Sequence, residues 1–87
     1  PWPGTFTFWH REGQPPLRMI LDQVRVVDVA ATALPGSIVH VERDRVLVAT
    51  GLGQLSLVQV QPAGKRPMTI QEFLRGYPLA VGQRLGP

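Results

Sequence analysis

The stretch Leu17–Val27, which reads Leu-Arg-Met-Ile-Leu-Asp-Gln-Val-Arg-Val-Val, decides the fold that the sequence predicts. Its apolar residues follow a period of two and then change phase: Leu17, Met19, Leu21, Val24 and Val26. A straight strand would turn the two groups to opposite faces, because side chains alternate along a strand. A β-bulge or sharp bend near Asp22 and Gln23 keeps both groups on one side. Such a coiled strand is typical of a small barrel.

Four further segments follow the same period and are separated by turn residues: Thr5–Trp9, Ser37–Glu42, Val46–Thr50 and Gln54–Gln61. In the first of them, Phe6 and Phe8 share one face and the threonines share the other, as in a half-buried strand. The last segment changes phase between Leu57 and Val58. A flat sheet would leave two open edges and one bare face, so these short bent strands predict a mainly β fold built as a five-stranded barrel.

One short helix is predicted after the strands, where the apolar period becomes helical. Thr69 and Glu72 have the spacing of a capping box, in which each side chain accepts a hydrogen bond from the other residue's backbone amide. One face of this helix is apolar: Ile70, Phe73 and Leu74. Gly76 is the predicted C-terminal cap. Because a two-turn helix is unstable alone in water, we expect it to pack on an apolar opening of the barrel.

The length and the cysteine content limit the class of protein. The chain has 87 residues and no cysteine, which predicts a single domain over residues 1–87 without disulfides or a thiolate metal site. Its apolar runs are far shorter than the roughly 20 residues that cross a bilayer. The sequence shows no basic start followed by an apolar segment, which is the pattern of a secretory signal. We therefore expect a soluble domain from a reducing compartment, with a cytoplasmic location.

The positive charge of the chain is modest. Nine lysine and arginine residues against six aspartate and glutamate residues give a net charge of +3, and charged residues make up 17% of the chain. Eight of the nine cations are arginine, whose planar guanidinium favours phosphate and carboxylate groups. Composition therefore allows a nucleic-acid partner without requiring one, and a solvated surface explains the same charges.

Residues with catalytic chemistry are few. The only histidines are His10 and His40, and His40 would share a strand face with Glu42, but two ligands do not make a metal site. No serine lies in a nucleophile elbow, and no glycine-rich loop precedes a helix as in a phosphate-binding site. We therefore expect no catalytic residue, no metal ligand and no cofactor-binding residue in this chain.

The cations are the remaining candidates for a binding site. Four of them surround the predicted helix and could form one phosphate-binding face, and two flank Asp44 in a predicted hairpin. The candidate nucleic-acid-binding residues are Lys65, Arg66, Arg75, Arg84, Arg43 and Arg45. Ordinary solubility charges are the alternative. Aromatic residues could add a base-stacking platform, although in a small barrel they belong more often to the core; they are Trp2, Phe6, Phe8, Trp9, Phe73 and Tyr77.

Two segments are more specific than the composition. They are Pro1–Thr7, which reads Pro-Trp-Pro-Gly-Thr-Phe-Thr, and Gln61–Thr69, which reads Gln-Pro-Ala-Gly-Lys-Arg-Pro-Met-Thr. The second continues into Glu72–Gly76 and the tail Gly82–Gly86. Together they resemble the C-terminal domain of methionyl-tRNA formyltransferases. Val46–Leu57 is similar to the central hairpin of that family, so the resemblance spans nearly the whole chain.

The resemblance implies an OB-like barrel with one short C-terminal helix, joined to an N-terminal Rossmann-type domain. In that family the barrel helps to hold initiator methionyl-tRNA, while the N-terminal domain transfers a formyl group from 10-formyltetrahydrofolate to the methionyl amine. The resemblance places Lys65 and Arg66 where the family has a basic pair suited to the tRNA backbone. It places Trp2, Pro3 and Gly4 at the approach from the interdomain linker. The chain itself is then expected to bind tRNA and not to catalyse.

A second class of function stays open. Formyltransferases that act on sugar nucleotides or on folate carry related barrels that do not use tRNA, and the opening Pro1–Gly4 fits them as well. The segment Gln61–Met68 favours the tRNA enzyme, whereas the turn Gln14–Pro16 departs from the family's pattern. The alternative is a structural barrel that docks against another domain through an apolar patch on one face.

Overall fold

The computed structural model describes residues 5–27, 29, 33–51 and 53–86. These residues contain seven strands and one helix, which are β1 Thr5–His10, β2 Leu17–Val27, β3 Ile38–Glu42, β4 Arg45–Ala49, β5 Gln54–Pro62, β6 Met68–Thr69, α1 Ile70–Gly76 and β7 Arg84–Gly86. The predictions for Trp2, Pro3 and Gly4 concern positions outside the described residues. In the part of the chain that is described, no helix is long and apolar enough to cross a membrane.

The strands form one curled antiparallel sheet in the order β3-β4-β5-β2-β1-β7, and β6 pairs with β5. The two ends of this order approach each other, because Ser37 and Arg84 form an antiparallel bridge. The prediction of a mainly β fold with one short helix is confirmed. The described residues contain two strands more than the five predicted. These are β6 and β7, with two and three residues, which are too short to show a period of two.

The phase change in β2 corresponds to a pair of register shifts against β5. One shift lies between Leu21 and Gln23, and the other lies between Gln23 and Val24. The first shift passes over Asp22 on β2 and the second passes over Val58 on β5, so the two shifts cancel. The bend predicted in β2 and the phase change predicted in β5 are therefore two sides of one irregularity, and both are confirmed. Extra residues of this kind increase the local twist and so help the sheet to curl.

The hydrophobic core lies between the curled sheet and α1. Its buried residues are Trp9, Met19, Leu21, Ile38, Val46, Val48, Leu57, Val60, Ile70, Phe73, Leu79 and Leu85. The alternation predicted for β1 is confirmed, and its buried face carries Thr7 and Trp9. Phe6 and Phe8 lie on the opposite, outer face, where Phe6 is 51% exposed. The largest aromatic side chain of β1 therefore belongs to the core, and its two phenylalanines do not.

Helix α1 begins with the predicted capping box. The Thr69 hydroxyl accepts a hydrogen bond from the backbone amide of Glu72, and the Glu72 carboxylate accepts one from the backbone amide of Thr69. Its buried residues are Ile70 and Phe73. The prediction of Gly76 as a left-handed C-terminal cap is wrong. Gly76 is the last helical residue and has no positive φ. The cap is Tyr77, which is extended and donates its backbone amide to the Phe73 carbonyl at 2.9 Å.

Gly36 lies just before β3, where the two ends of the strand order, β3 and β7, approach each other. Its amide donates to the Ala49 carbonyl and its carbonyl accepts from the Leu85 amide, both at 2.8 Å. Its φ is +92°, in the left-handed region that side chains disfavour. A Cβ atom on Gly36 would also lie well inside van der Waals contact of the Leu85 carbonyl oxygen. Only glycine therefore lets this stretch of backbone lie against β7.

Substitution of Gly36 should test this contact. Gly36→Ala is expected to lower the free energy of unfolding by about 2–5 kcal/mol, because backbone strain and a clash with rigid backbone act together. The matched control is Gly13→Ala. Gly13 also has a positive φ, of +78°, but nothing lies within 4 Å of its added Cβ, so about 1 kcal/mol is expected. Urea denaturation measures both variants, and equal losses would contradict the importance of the contact with Leu85.

Candidate nucleic-acid interface

Lys65 and Arg66 lie in the turn that joins β5 to β6. The turn is fixed by the Lys65 amide, which donates to the Pro62 carbonyl at 3.0 Å, and by Gly64, whose φ is +76°. The Gln61 side-chain amide donates to the Lys65 carbonyl, also at 3.0 Å. The side chains of Lys65 and Arg66 are both exposed. The backbone of this basic pair is therefore held by three local constraints, while its charges face the solvent.

Arg66 is tied to the start of the helix. Its guanidinium donates to the Glu72 carboxylate at 3.0 Å, and the same carboxylate caps Thr69. The hydrogen bond from the Thr69 amide, assisted by Arg66, lowers the pKa of Glu72 below its ordinary value. Glu72 thus has two roles, because it stabilises the first turn of α1 and holds one cation of the predicted site. A phosphate group must compete with this carboxylate for Arg66.

Arg75 lies in the last turn of the same helix and is exposed. Seven helical residues extend about 10 Å at 1.5 Å per residue, so Arg75 and the Arg66–Glu72 pair mark the two ends of α1. Each strand of a nucleic-acid duplex carries a phosphate charge about every 3.4 Å along the helix axis, so one strand could reach both ends.

Arg43 and Arg45 lie at the hairpin between β3 and β4, and both are exposed. Arg45 lines a surface groove with Arg25 and Asp44. A neighbouring groove is lined by Arg25, Asp44 and the residues 69–71 at the start of α1. The hairpin therefore faces the end of the helix that also holds Arg66. Its positive charge is offset by Asp44 and by Glu42, whose carboxylate is hydrogen-bonded to His40.

Arg84 lies on a different part of the surface. It pairs with His10 across β1 and β7 and is exposed. The Arg84 side chain extends toward Gly86, two residues further on, since a Cβ on Gly86 would lie 3.5 Å from Arg84 Nη1. Gly86 in turn lies opposite Phe8 in the ladder. The register therefore places Arg84 on the outer face of the sheet, the face that also carries Phe8.

The outer face also holds a cation that the sequence prediction omitted. Arg18 lies opposite Phe8 in the β1–β2 ladder, and its Cζ atom lies 4.5 Å from the centroid of the Phe6 ring. The Phe6 and Phe8 rings meet edge to face, with centroids 6.1 Å apart. The name aromatic-basic face is used below for Phe6, Phe8, Arg18 and Arg84. The sequence signal for Arg18 is its period-two spacing from Ile20, which places both residues on the same face of β2. In the structure Ile20 lies opposite Phe6 on β1.

The structure thus divides the six predicted cations into three places. Lys65 and Arg66 form the β5–β6 turn, with Arg75 at the other end of α1. Arg43 and Arg45 form the β3–β4 hairpin, and Arg84 belongs to the aromatic-basic face. Contact of any of them with nucleic acid stays a prediction. Among the described residues, no group of three metal-ligating side chains is close enough to hold a metal ion.

Comparison with known proteins gives the family. The family described as "Formyl transferase, C-terminal domain" matches residues 1–78. The chain belongs to this family. It is 41% identical to a methionyl-tRNA formyltransferase of Magnetococcus marinus and 43% identical to one of Roseiflexus sp., each over 99% of the chain and 25% of the relative. A methionyl-tRNA formyltransferase of Streptococcus gordonii is 41% identical over 99% of the chain and 26% of its own length.

The resemblance predicted from the sequence is therefore confirmed. The formyltransferase domain spans about a quarter of the length of the curated relatives that it matches. Its similarity to them spans nearly the whole chain, as predicted, because each alignment covers 99% of the chain.

The role of Glu72 in the formyltransferase domain predicts a dependence of stability on pH. The folded pKa of Glu72 is lowered, so its stabilising effect is complete above the unfolded pKa of about 4.3 and is lost as pH falls through the folded pKa. We expect Glu72→Gln to be less stable than the unmodified chain near neutral pH. This difference should shrink as pH falls below about 4.

Thermal unfolding at several pH values measures this difference. The control is Glu12→Gln, which removes the same charge from the exposed β1–β2 turn and leaves the capping box intact. A difference between Glu72→Gln and the unmodified chain that stays constant from neutral to acid pH would contradict the assignment.

Proposed function

We propose that the chain is the tRNA-binding C-terminal domain of a methionyl-tRNA formyltransferase and has no catalytic role of its own. One observation carries the proposal: relatives with this name align over 99% of the chain at 41–43% identity. Catalysis would then belong to an N-terminal Rossmann-type domain of the same protein, located in the cytoplasm. That domain would transfer the formyl group of 10-formyltetrahydrofolate to the amine of initiator methionyl-tRNA.

The exposed cations support the binding role. Lys65 and Arg66 lie side by side on a turn whose backbone is fixed, so little conformational entropy is lost when their backbone meets a phosphate strand. Both side chains are exposed, but Arg66 already forms an ion pair with Glu72. Phosphate binding by Arg66 must replace this pair. We therefore expect Lys65 to contribute at least as much as Arg66, despite the stronger geometry of arginine with phosphate.

The fold supports the same proposal. We infer that the curled sheet belongs to the OB-like barrels, because its first and last ladders approach each other through the bridge from Ser37 to Arg84. Barrels of this type bind nucleic acids on an open face. The domain would then add contacts to tRNA that the catalytic domain alone does not make.

Docking against the N-terminal domain is the second candidate, and exposed apolar residues favour it. Val26 is 77% exposed at the end of β2, and Leu34 is 79% exposed before β3. Val29, between them in the chain, is also exposed. These side chains could be covered by another domain of the same protein. The two functions use different residues and are compatible with each other.

A salt titration tests the binding proposal. Initiator tRNA is titrated with the chain at several salt concentrations, and the slope of log K against log salt is compared between variants. Each lost phosphate contact should reduce the magnitude of the slope by about one. We therefore expect a reduction of about two for the double variant Lys65→Ala/Arg66→Ala, together with weaker binding.

The charge control combines the single variant Lys65→Ala with Glu12→Gln, which restores the net charge of the chain at the exposed β1–β2 turn. We expect Lys65→Ala to weaken binding and the added Glu12→Gln to leave that loss unchanged. Recovery of affinity in the combined variant would indicate a diffuse electrostatic effect. Unchanged affinity and slope in the double variant would remove Lys65 and Arg66 from the binding site.

A further inference from the structure

The aromatic-basic face has an unusual composition for the outside of a small barrel. Phe6 is 51% exposed, and Phe8 is half-buried beside it. The core does not need these rings, because β1 directs Trp9 inward instead. A single exposed apolar residue is ordinary, but Phe6 and Phe8 adjoin and form an apolar patch, and exposed patches of this kind can mark interaction sites.

Both cations of this face are placed against its aromatic rings or beside them. Arg18 lies over the Phe6 ring at 4.5 Å from the centroid. Arg84 extends over Gly86, the residue opposite Phe8. Gly64, next to Lys65 in the chain, lines a groove with Arg18 and Ile20 on the same side. The two rings are thus bordered by two cations, Arg18 and Arg84.

The charge of the surrounding positions is also of one sign. The outward positions of these ladders are held by Phe6, Phe8 and His10 on β1, by Arg18 and Ile20 on β2, and by Arg84 and Gly86 on β7. None of these seven residues is acidic. Within these ladders the surface combines apolar rings with positive charge, which suits a partner that presents both flat rings and anionic groups.

We propose that the aromatic-basic face binds unpaired nucleotides of RNA, with a base stacked on Phe6 and its flanking phosphates held by Arg18 and Arg84. This inference rests on the proposed tRNA-binding function and assigns it a second contact surface. Stacking on an aromatic ring accepts any base, because every base has a π-face. Arg18 has a flexible stem and can leave the ring for a phosphate when a base takes its place.

The stacking contact differs from a phosphate contact in its response to salt. A phosphate contact releases counterions and so contributes to the salt slope, whereas stacking of a neutral ring on a base does not. Loss of Phe6 should therefore weaken binding equally at low and at high salt. Loss of Lys65 and Arg66 should weaken it mainly at low salt. The two kinds of contact can be separated in one set of titrations.

The test titrates the chain with a single-stranded RNA of about eight nucleotides, with an RNA duplex of the same length and with initiator tRNA. We expect Phe6→Ala to weaken binding of the single strand about tenfold with an unchanged salt slope. Binding of the duplex should not change, because its bases are already stacked. Phe6→Trp should restore the affinity, and its indole fluorescence should be quenched by the single strand.

Val26→Ala is the control, since Val26 is an exposed apolar residue on β2 that lies outside the aromatic-basic face. Thermal unfolding of each variant checks that the fold is retained. If the unmodified chain binds no RNA, the proposed function and this inference both fail. If Lys65→Ala/Arg66→Ala weakens tRNA binding but Phe6→Ala leaves the single strand unaffected, this inference alone fails. It also fails if Phe6→Ala weakens only the docking of another domain of the protein.

Discussion

The buried indole of Trp9 joins three parts of the fold that are far apart in the sequence. It lies edge-on to Phe73 of α1, with ring centroids 5.9 Å apart, and it donates a hydrogen bond to the Gln83 side-chain oxygen at 2.8 Å. The same oxygen accepts from the Ala80 amide at 2.9 Å, so it also orders the segment before β7. A helix of seven residues has little stability of its own. Trp9 therefore helps to fix the position of α1, and with it the Arg66–Glu72 pair, alongside the contacts of α1 with β4, β5 and β6.

The inward direction of Trp9 determines what β1 presents to solvent. Side chains alternate along a strand, so the orientation that buries Thr7 and Trp9 places Phe6 and Phe8 outside. A one-residue slip of β1 against β2 would bury the phenylalanines and expose the indole. The pairing of Trp9 with Leu85 on β7 and the bond to Gln83 oppose that slip. Core packing and the outer aromatic surface are consequences of the same register.

Features written in local sequence could be predicted, and those that depend on distant pairing could not. The bend at Asp22 follows from a phase change within one strand, and the capping box follows from the spacing of Thr69 and Glu72. In contrast, β7 pairs with β1 across more than 70 residues, and its three residues carry no period of their own. The outer location of Arg84 depends on that pairing. Sequence patterns therefore could not predict that Arg84 shares a face with Phe8, although Arg84 itself was a candidate binding residue.

Several arginines of this sparsely charged chain are held by a carboxylate or an aromatic ring. Arg66 is bonded to a carboxylate, and Arg18 lies over a ring. Arg11 lies over the indole of Trp9, at 4.5 Å from its centroid. A phosphate must displace these partners before it can bind Arg66 or Arg18, so neither guanidinium acts as a free charge. A net charge of +3 gives only weak long-range attraction. Under the proposed tRNA-binding function, a linked second domain that holds the same ligand would offset this, because linkage raises the effective concentration. Placement of the cations, and not their number, would then determine how the domain positions its ligand.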